Sequence, residues 1–220
     1  MDRRRIAIVG GTGPQGRGLA YRFATAGHDV TLGSRDAGRA ASAAADLGTL
    51  AGTGLRGDSN PGAAAVADVV VLAIPFDGHD ELVASLADEL AGKVVVSCVN
   101  PLGFDKHGPF GLDLGGESAA ERAAALVPDA QVVGSFHHLS AVSLIDPDAD
   151  LSTQDVLVVG DDAEAKTVVM DLAIAVTGRP GVDAGSLRLA RQLEPLTAVL
   201  ISINKKYRTH SGVAIAGLGH

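Results

Sequence analysis

Three groups of residues in this chain could do chemistry. The first is Gly11-Thr12-Gly13-Pro14-Gln15-Gly16, which follows the apolar run Ile6-Ala7-Ile8-Val9 and opens a stretch with helical periodicity. Gly11 permits a tight turn, Gly13 lets the backbone approach a pyrophosphate, and Gly16 lets the helix pack closely on the strand. Free N–H groups and the positive end of the helix dipole then favour an anion. The second group lies about 20 residues further on, where an NAD-binding strand ends in an acid. Here Ser34 and Arg35 offer a hydroxyl and a guanidinium, and Arg39 follows within reach. A planar fork of donors suits a 2′-phosphate, so the pattern selects NADP over NAD. Asp36 has two readings, as a partner of a ribose hydroxyl or as the N-cap of the second helix. The third group is His137-His138, at the end of a strand spanning Gln131 to Phe136. Alternation along a strand would send the two rings to opposite sides, leaving one to face the cleft.

Composition narrows the class of protein. Of 220 residues, 46% are apolar and 3% aromatic, with no Trp, so the core is aliphatic. The length allows one large core, or a main domain with a smaller appendage. The formal charge of -8 speaks against nucleic acid, because binding a phosphate backbone needs a basic face and the cations here are scattered or local. No apolar run approaches the roughly 18 residues of a membrane span, and no charged start leads into a signal-like run, so a cytoplasmic enzyme is expected. The single cysteine, Cys98, follows an apolar run and reads as a small buried hydrophobe. With one cysteine and no HxxxH pattern no metal site is expected, and without a GxSxG elbow no serine hydrolase.

The elements that must position these groups alternate as strand and helix, which suits an α/β doubly wound parallel sheet of the Rossmann type. Strands are expected at 5–10, 29–33, 55–57, 68–74, 93–97, 131–136 and 156–159. Asn60-Pro61 reads as a cap followed by proline at the first helical position. Ile74-Pro75 takes the chain off the sheet at the carboxyl edge, where such folds bind ligands. One helix is expected from about Asp80 to Leu90, a long irregular loop from Asn100 to Gly116, and a long apolar-rich helix from Arg188 to Ile203 that covers the cleft or a second subunit. The division is a dinucleotide-binding domain over 1–136 and a smaller C-terminal α/β part over 137–220.

The residues also carry a resemblance. Ile8 to Gly18, Gly33-Ser34-Arg35, Ser97-Cys98-Val99-Asn100-Pro101-Leu102-Gly103, the His137-His138 strand end and Leu193-Glu194-Pro195-Leu196-Thr197 together resemble the NADPH-dependent reductases of coenzyme F420, in an actinobacterial-type form. The resemblance implies reversible hydride transfer between NADP(H) and the 8-hydroxy-5-deazaflavin coenzyme F420, by a homodimer. It implies that Thr12, Ser34, Arg35 and Arg39 hold the 2′-phosphate, that Ile74 and Pro75 border the nicotinamide, and that Asn100 and Pro101 belong to the cofactor site. His137, Leu139 and Ala141 would border the meeting place of the two rings, with His137 positioning a ring or stabilising charge. The coenzyme's phosphate and glutamyl tail would call for a basic patch, and Lys205-Lys206-Tyr207-Arg208 supplies one. Two alternatives stay open: an NADP-dependent imine or small-ketone reductase, which would place a Lys or Tyr in the cleft, and a noncatalytic NADP sensor.

Overall fold

The computed structural model describes residues 2–218. Its first half alternates β1 (Arg5–Val9), α1 (Pro14–Thr25), β2 (Asp29–Ser34), α2 (Ala37–Ala51), β3 (Arg56–Ser59), α3 (Asn60–Ala65) and β4 (Val69–Leu72). Two short helices, α4 (His79–Ala84) and α5 (Ala87–Leu90), lead to β5 (Val94–Ser97). An antiparallel hairpin of β6 (Leu102–Asp105) and β7 (Gly108–Gly111) precedes α6 (Ala119–Leu126) and β8 (Gln131–Ser135). The chain ends through α7 (Ala141–Ile145), β9 (Leu157–Gly160), α8 (Ala163–Thr177), β10 (Val182–Asp183) and, after a 3-10 turn at Leu187–Leu189, α9 (Ala190–Tyr207).

The main sheet runs β10-β9-β8-β5-β4-β1-β2-β3, parallel from β3 to β8 and turned antiparallel at β9. Strands such as β4, Val69-Val70-Val71-Leu72, are buried throughout, as a parallel sheet covered on both faces requires. One face packs on α1, α2 and α8 through Leu19, Phe23, Leu47, Val169 and Leu172. The other packs on α3, α5 and α6 through Ala63, Leu90 and Ala123. The doubly wound Rossmann architecture read from the sequence is the one found. The carboxyl ends of β1 and β4 lie side by side at its switch point, with Ile6 paired to Val69 and Val9 to Leu72.

The local outcome departs from the sequence reading in several places. Ser59, not Asn60, caps α3, its Oγ accepting from the Gly62 N–H at 3.1 Å. The helix expected over 80–90 breaks between Ala84 and Ala87. The loop expected over 100–116 contains the β6–β7 hairpin, and α9 continues to Tyr207. Most consequential, β8 stops at Ser135 because Phe136 adopts φ 61°, a left-handed conformation that bulky residues rarely enter. Behind it the C-terminal part is tied back onto α1. The Arg22 guanidinium donates to the carbonyls of Ser143, Leu144 and Asp146, each at 2.8 Å.

Candidate functional site

The glycine turn lies between the ends of β1 and β2. The Gly11 N–H donates to Ile8 O at 3.0 Å and Gly33 O at 2.9 Å, joining the two strand ends. The left-handed residue of the turn is Gly10, at φ 73°, so the tight bend expected at Gly11 rests on its neighbour. Gly11 and Gly16 are instead demanded by packing. A Cβ on Gly11 would stand 2.7 Å from Ile8 O, and one on Gly16 2.8 Å from Gly11 Cα. At Gly13 the nearest atom to a Cβ would be Gly10 O, 3.5 Å away, and φ is -77°. Neither strain nor crowding within the chain requires a glycine there, so what its bareness leaves open is approach from outside. Gly13 is the N-cap of α1 and Pro14 begins the helix, so the first-turn N–H groups of Gln15 and Gly16 have no acceptor within the helix. Asn60 is the part of this region that sequence reasoning missed. It is buried, and its Oδ1 accepts from Gly10 N–H at 3.3 Å, bracing the turn from α3. Its position at a helix start disguised it as a cap.

Ser34 is buried at the end of β2, its Oγ accepting from Asp36 N–H at 3.3 Å. Asp36 is the N-cap of α2, taking the Arg39 N–H at 2.9 Å, which decides between its two readings. Arg35 and Arg39 are exposed beside it, and neither guanidinium has a carboxylate partner among the described residues. The sheet edge thus presents two free cations and a hydroxyl where the second strand ends.

Across the switch point a cavity of about 390 Å³ opens between the glycine turn, the segment after β8 and α9. It brings together Gln15, Ile74, Asn100, His137, Leu139 and Ala141, all expected at a cofactor site. Pro75 and Asn100 also line a neighbouring cavity of about 600 Å³ beneath the β6–β7 hairpin, whereas Pro101 lines neither and only accepts Leu112 N–H at 2.9 Å. Thr197 and Asn204 complete the first cavity from α9 and were not anticipated. The signal was present, because they stand seven residues apart on one helical face with Leu200 and Ile201.

His137 is fully enclosed, and neither ring nitrogen has a hydrogen-bond partner among the described residues. Burial, helped by the neighbouring His138, pushes its pKa down to about 3, so at neutral pH it is an uncharged ring with one donor and one acceptor. Its carbonyl is clamped by Asn100 Nδ2 at 3.0 Å and Thr197 Oγ1 at 2.9 Å. His138 also borders the cavity, but the strand has ended before either residue, so alternation along a strand does not set the directions of the two rings. His138 Nε2 lies 2.7 Å from Asp155 O, so it must carry the hydrogen, and burial depresses its pKa as well. Asp155 in turn holds the C-terminal segment, accepting Ile215 N–H at 2.7 Å while its own N–H donates to Val213 O at 2.8 Å. Cys98 lines the cavity as an inert wall, its thiol donating to Leu72 O at 3.1 Å and pushed up to about 12 by burial.

A glycine turn at a switch point, free guanidinium groups at the second strand end and a cavity with an unpartnered imidazole define a Rossmann protein built to hold NADP against a second ligand. The family described as "NADP oxidoreductase coenzyme F420-dependent" matches residues 5–101. Over its whole length the chain is similar to the F420-dependent NADP reductase of Methanothermobacter thermautotrophicus, 37% identical across 97% of this chain and 95% of the relative. The enzyme of the same name from Methanocaldococcus jannaschii is 36% identical across 97% and 99%. A crystal structure from Arthrobacter sp. FB24, described as a candidate F420-dependent NADP reductase, superposes with a TM-score of 0.81 at 29% identity, covering 97% of this chain and 99% of that one. The chain belongs to the F420-dependent NADP reductase family.

Proposed function

We propose that the protein transfers a hydride reversibly between NADP(H) and the deazaflavin coenzyme F420, with the 390 Å³ cavity as the meeting place of the two rings. The observation that carries this is the cavity itself, which abuts the dinucleotide turn and brings Gln15, Ile74, Asn100, Leu139 and Ala141 together with His137. The buried His137 nitrogens have no partner among the described residues, which costs stability in the ligand-free state. In this reading Gly11, Thr12, Gly13, Pro14, Gln15 and Gly16 hold the pyrophosphate, and Ser34, Arg35 and Arg39 hold the 2′-phosphate. Ile74, Pro75 and Asn100 border the nicotinamide side, and His137, Leu139 and Ala141 form the wall toward the deazaflavin. Residues 137–220 act as a smaller part that completes the cleft.

The bound coenzymes supply the redox chemistry, a hydride passing between nicotinamide C4 and deazaflavin C5. The chain's work is orientation and exclusion of water, which lowers the barrier by fixing two flat rings in register. Leu139, Leu200 and Ile201 keep the cavity wall apolar. His137, neutral at working pH, donates one N–H toward charge that develops on a ring, and is not a source of protons as an imidazolium. An imine or ketone reductase needs an acid for the developing nitrogen or alkoxide, and the described residues lining this cavity include no Lys or Tyr.

A homodimer belongs to the same proposal. It is supported by the outer face of α9, where Val199, Ile203 and Tyr207 are 53%, 36% and 67% exposed in an unbroken row at helical spacing. A cytoplasmic location, where NADPH is kept reduced, accompanies it. The deciding experiment mixes the protein with NADPH and oxidised F420 and follows the deazaflavin absorption band, with NADH and ordinary flavin as controls. NADPH-dependent bleaching is expected. Tight NADPH binding with a persistent band would turn the assignment to a noncatalytic sensor.

A further inference from the structure

The coenzyme of the proposed reaction carries, beyond its ring, a phosphodiester and a chain of carboxylates, and a protein of formal charge -8 must seat that anion somewhere local. Two cavities share Asn100, and their charges differ. The one beneath the hairpin is bordered by Asp77, Asp80 and Glu81, and its one arginine, Arg122, is already engaged by Asp80 at 3.5 Å and Glu117 at 3.2 Å. An anion is disfavoured there. The cavity beside His137 opens instead at the C-terminal end of α9. With 3.6 residues per turn, Lys205 lies within about 80° of Thr197 around the helix axis, whereas Lys206 lies about 180° away. The Lys206 ammonium lies 5.6 Å from the Tyr207 ring. Arg208 ends the helix in a left-handed conformation, at φ 52°, and turns the chain back. Asn204 Oδ1 secures the return by accepting from Ser211 N–H at 2.6 Å, and His210 arrives with Nδ1 3.4 Å from Oγ of Ser140, a residue of the cavity wall. Lys205 and Arg208 are exposed, with no carboxylate partner among the described residues.

Resting on the deazaflavin reading, we propose that Lys205 and Arg208, with His210 at the rim, seat the anionic tail of the coenzyme as it leaves the cavity, and that Lys206 has no part in this. The four-residue basic run is therefore two surfaces, divided by the helical turn.

The test compares the full coenzyme with the tail-less deazaflavin riboside, by fluorescence titration without NADP and by steady-state reduction with NADPH. Lys205→Glu and Arg208→Glu are each expected to raise Kd and KM for the coenzyme about three- to ten-fold, the scale of exposed charge contacts. The effect should shrink in high salt, as the Debye length falls to about 3 Å. Values for the riboside stay where they were, and Lys206→Glu behaves as wild type toward both compounds. Thermal melting checks that each variant is folded. Equal weakening of riboside and coenzyme, no weakening at all, or the same loss from Lys206→Glu would each overturn the seat. Tail-dependent binding without hydride transfer would sink the reductase reading and leave the seat standing. Transfer that is indifferent to the tail in the wild type would do the reverse.

Discussion

In the role proposed for it, His137 serves function at the expense of stability. Two buried nitrogens without partners cost about 1–3 kcal/mol, which a residue of similar volume and no polarity would recover. His137→Leu is thus expected to raise Tm of the ligand-free protein while lowering kcat/KM for F420 about ten- to hundred-fold. A variant that melts earlier and turns over normally would contradict both halves. The depressed pKa has its own sign. Below about 6.5 the unfolded chain takes up a proton on this histidine that the folded chain refuses until about pH 3. The stability it contributes is complete above pH 6.5 and drains away as pH falls through that window, so the leucine variant should show a shallower acid limb in denaturation at pH 4 to 7. At the other end of the cleft, Arg35→Gln with Arg39→Gln should cut kcat/KM for NADPH about ten- to hundred-fold and leave NADH unaffected. Equal losses for the two cofactors would remove the 2′-phosphate from the role of these cations.

At the scale of elements, α9 is placed by one buried carboxylate. Glu194 accepts Ala119 N–H at 2.9 Å and Ala120 N–H at 3.0 Å, so a residue of α9 caps the N-terminus of α6. Alongside it, Arg191 donates to Glu121 at 2.6 and 2.7 Å, a second tie between the same helices. Burial raises the Glu194 pKa to about 7 despite both N–H donors. Between pH 4.5 and 7 the folded chain therefore holds a proton that the unfolded chain releases, and stability falls as pH rises through that interval. Glu194→Gln cannot ionise, so relative to wild type it should gain on the order of 1–3 kcal/mol between pH 5 and 8. Urea midpoints at the two pH values measure this, and taking the difference between proteins cancels the opposite slope from the histidines. Parallel behaviour of the two proteins would show Glu194 ionised throughout.

At the scale of the molecule, the helix that lines the cleft also carries an exposed apolar row, Val199 and Ile203 with Tyr207. Val199→Glu with Ile203→Glu should leave a monomer in analytical ultracentrifugation, where the proposed dimer is the form expected of the wild type. Because these side chains face away from Thr197 and Asn204, the fold of the monomeric variant is expected to persist by circular dichroism. A wild type that stays monomeric at high concentration would end the proposal.

What the sequence determined by itself was local and periodic. The β1 run, the glycines after it, the Ser34-Arg35 strand end and the apolar runs of β4 and β5 each announce themselves within a few residues, because turn sterics and a doubly covered sheet act on neighbours in the chain. Their order was enough to specify the doubly wound sheet and ligand binding at its carboxyl edge. Contacts between distant segments decided the rest. Asn60 reads as a cap until β1 approaches it, and Glu194 reads as a helix-surface acid until α6 brings two N–H groups to its carboxylate. The two histidines read as an extension of the strand until Phe136 turns left-handed, with Gln15 Nε2 donating to its carbonyl at 3.1 Å. Propensity and periodicity are properties of a segment, whereas burial of a polar group and the partner that satisfies it exist only once the segments have packed.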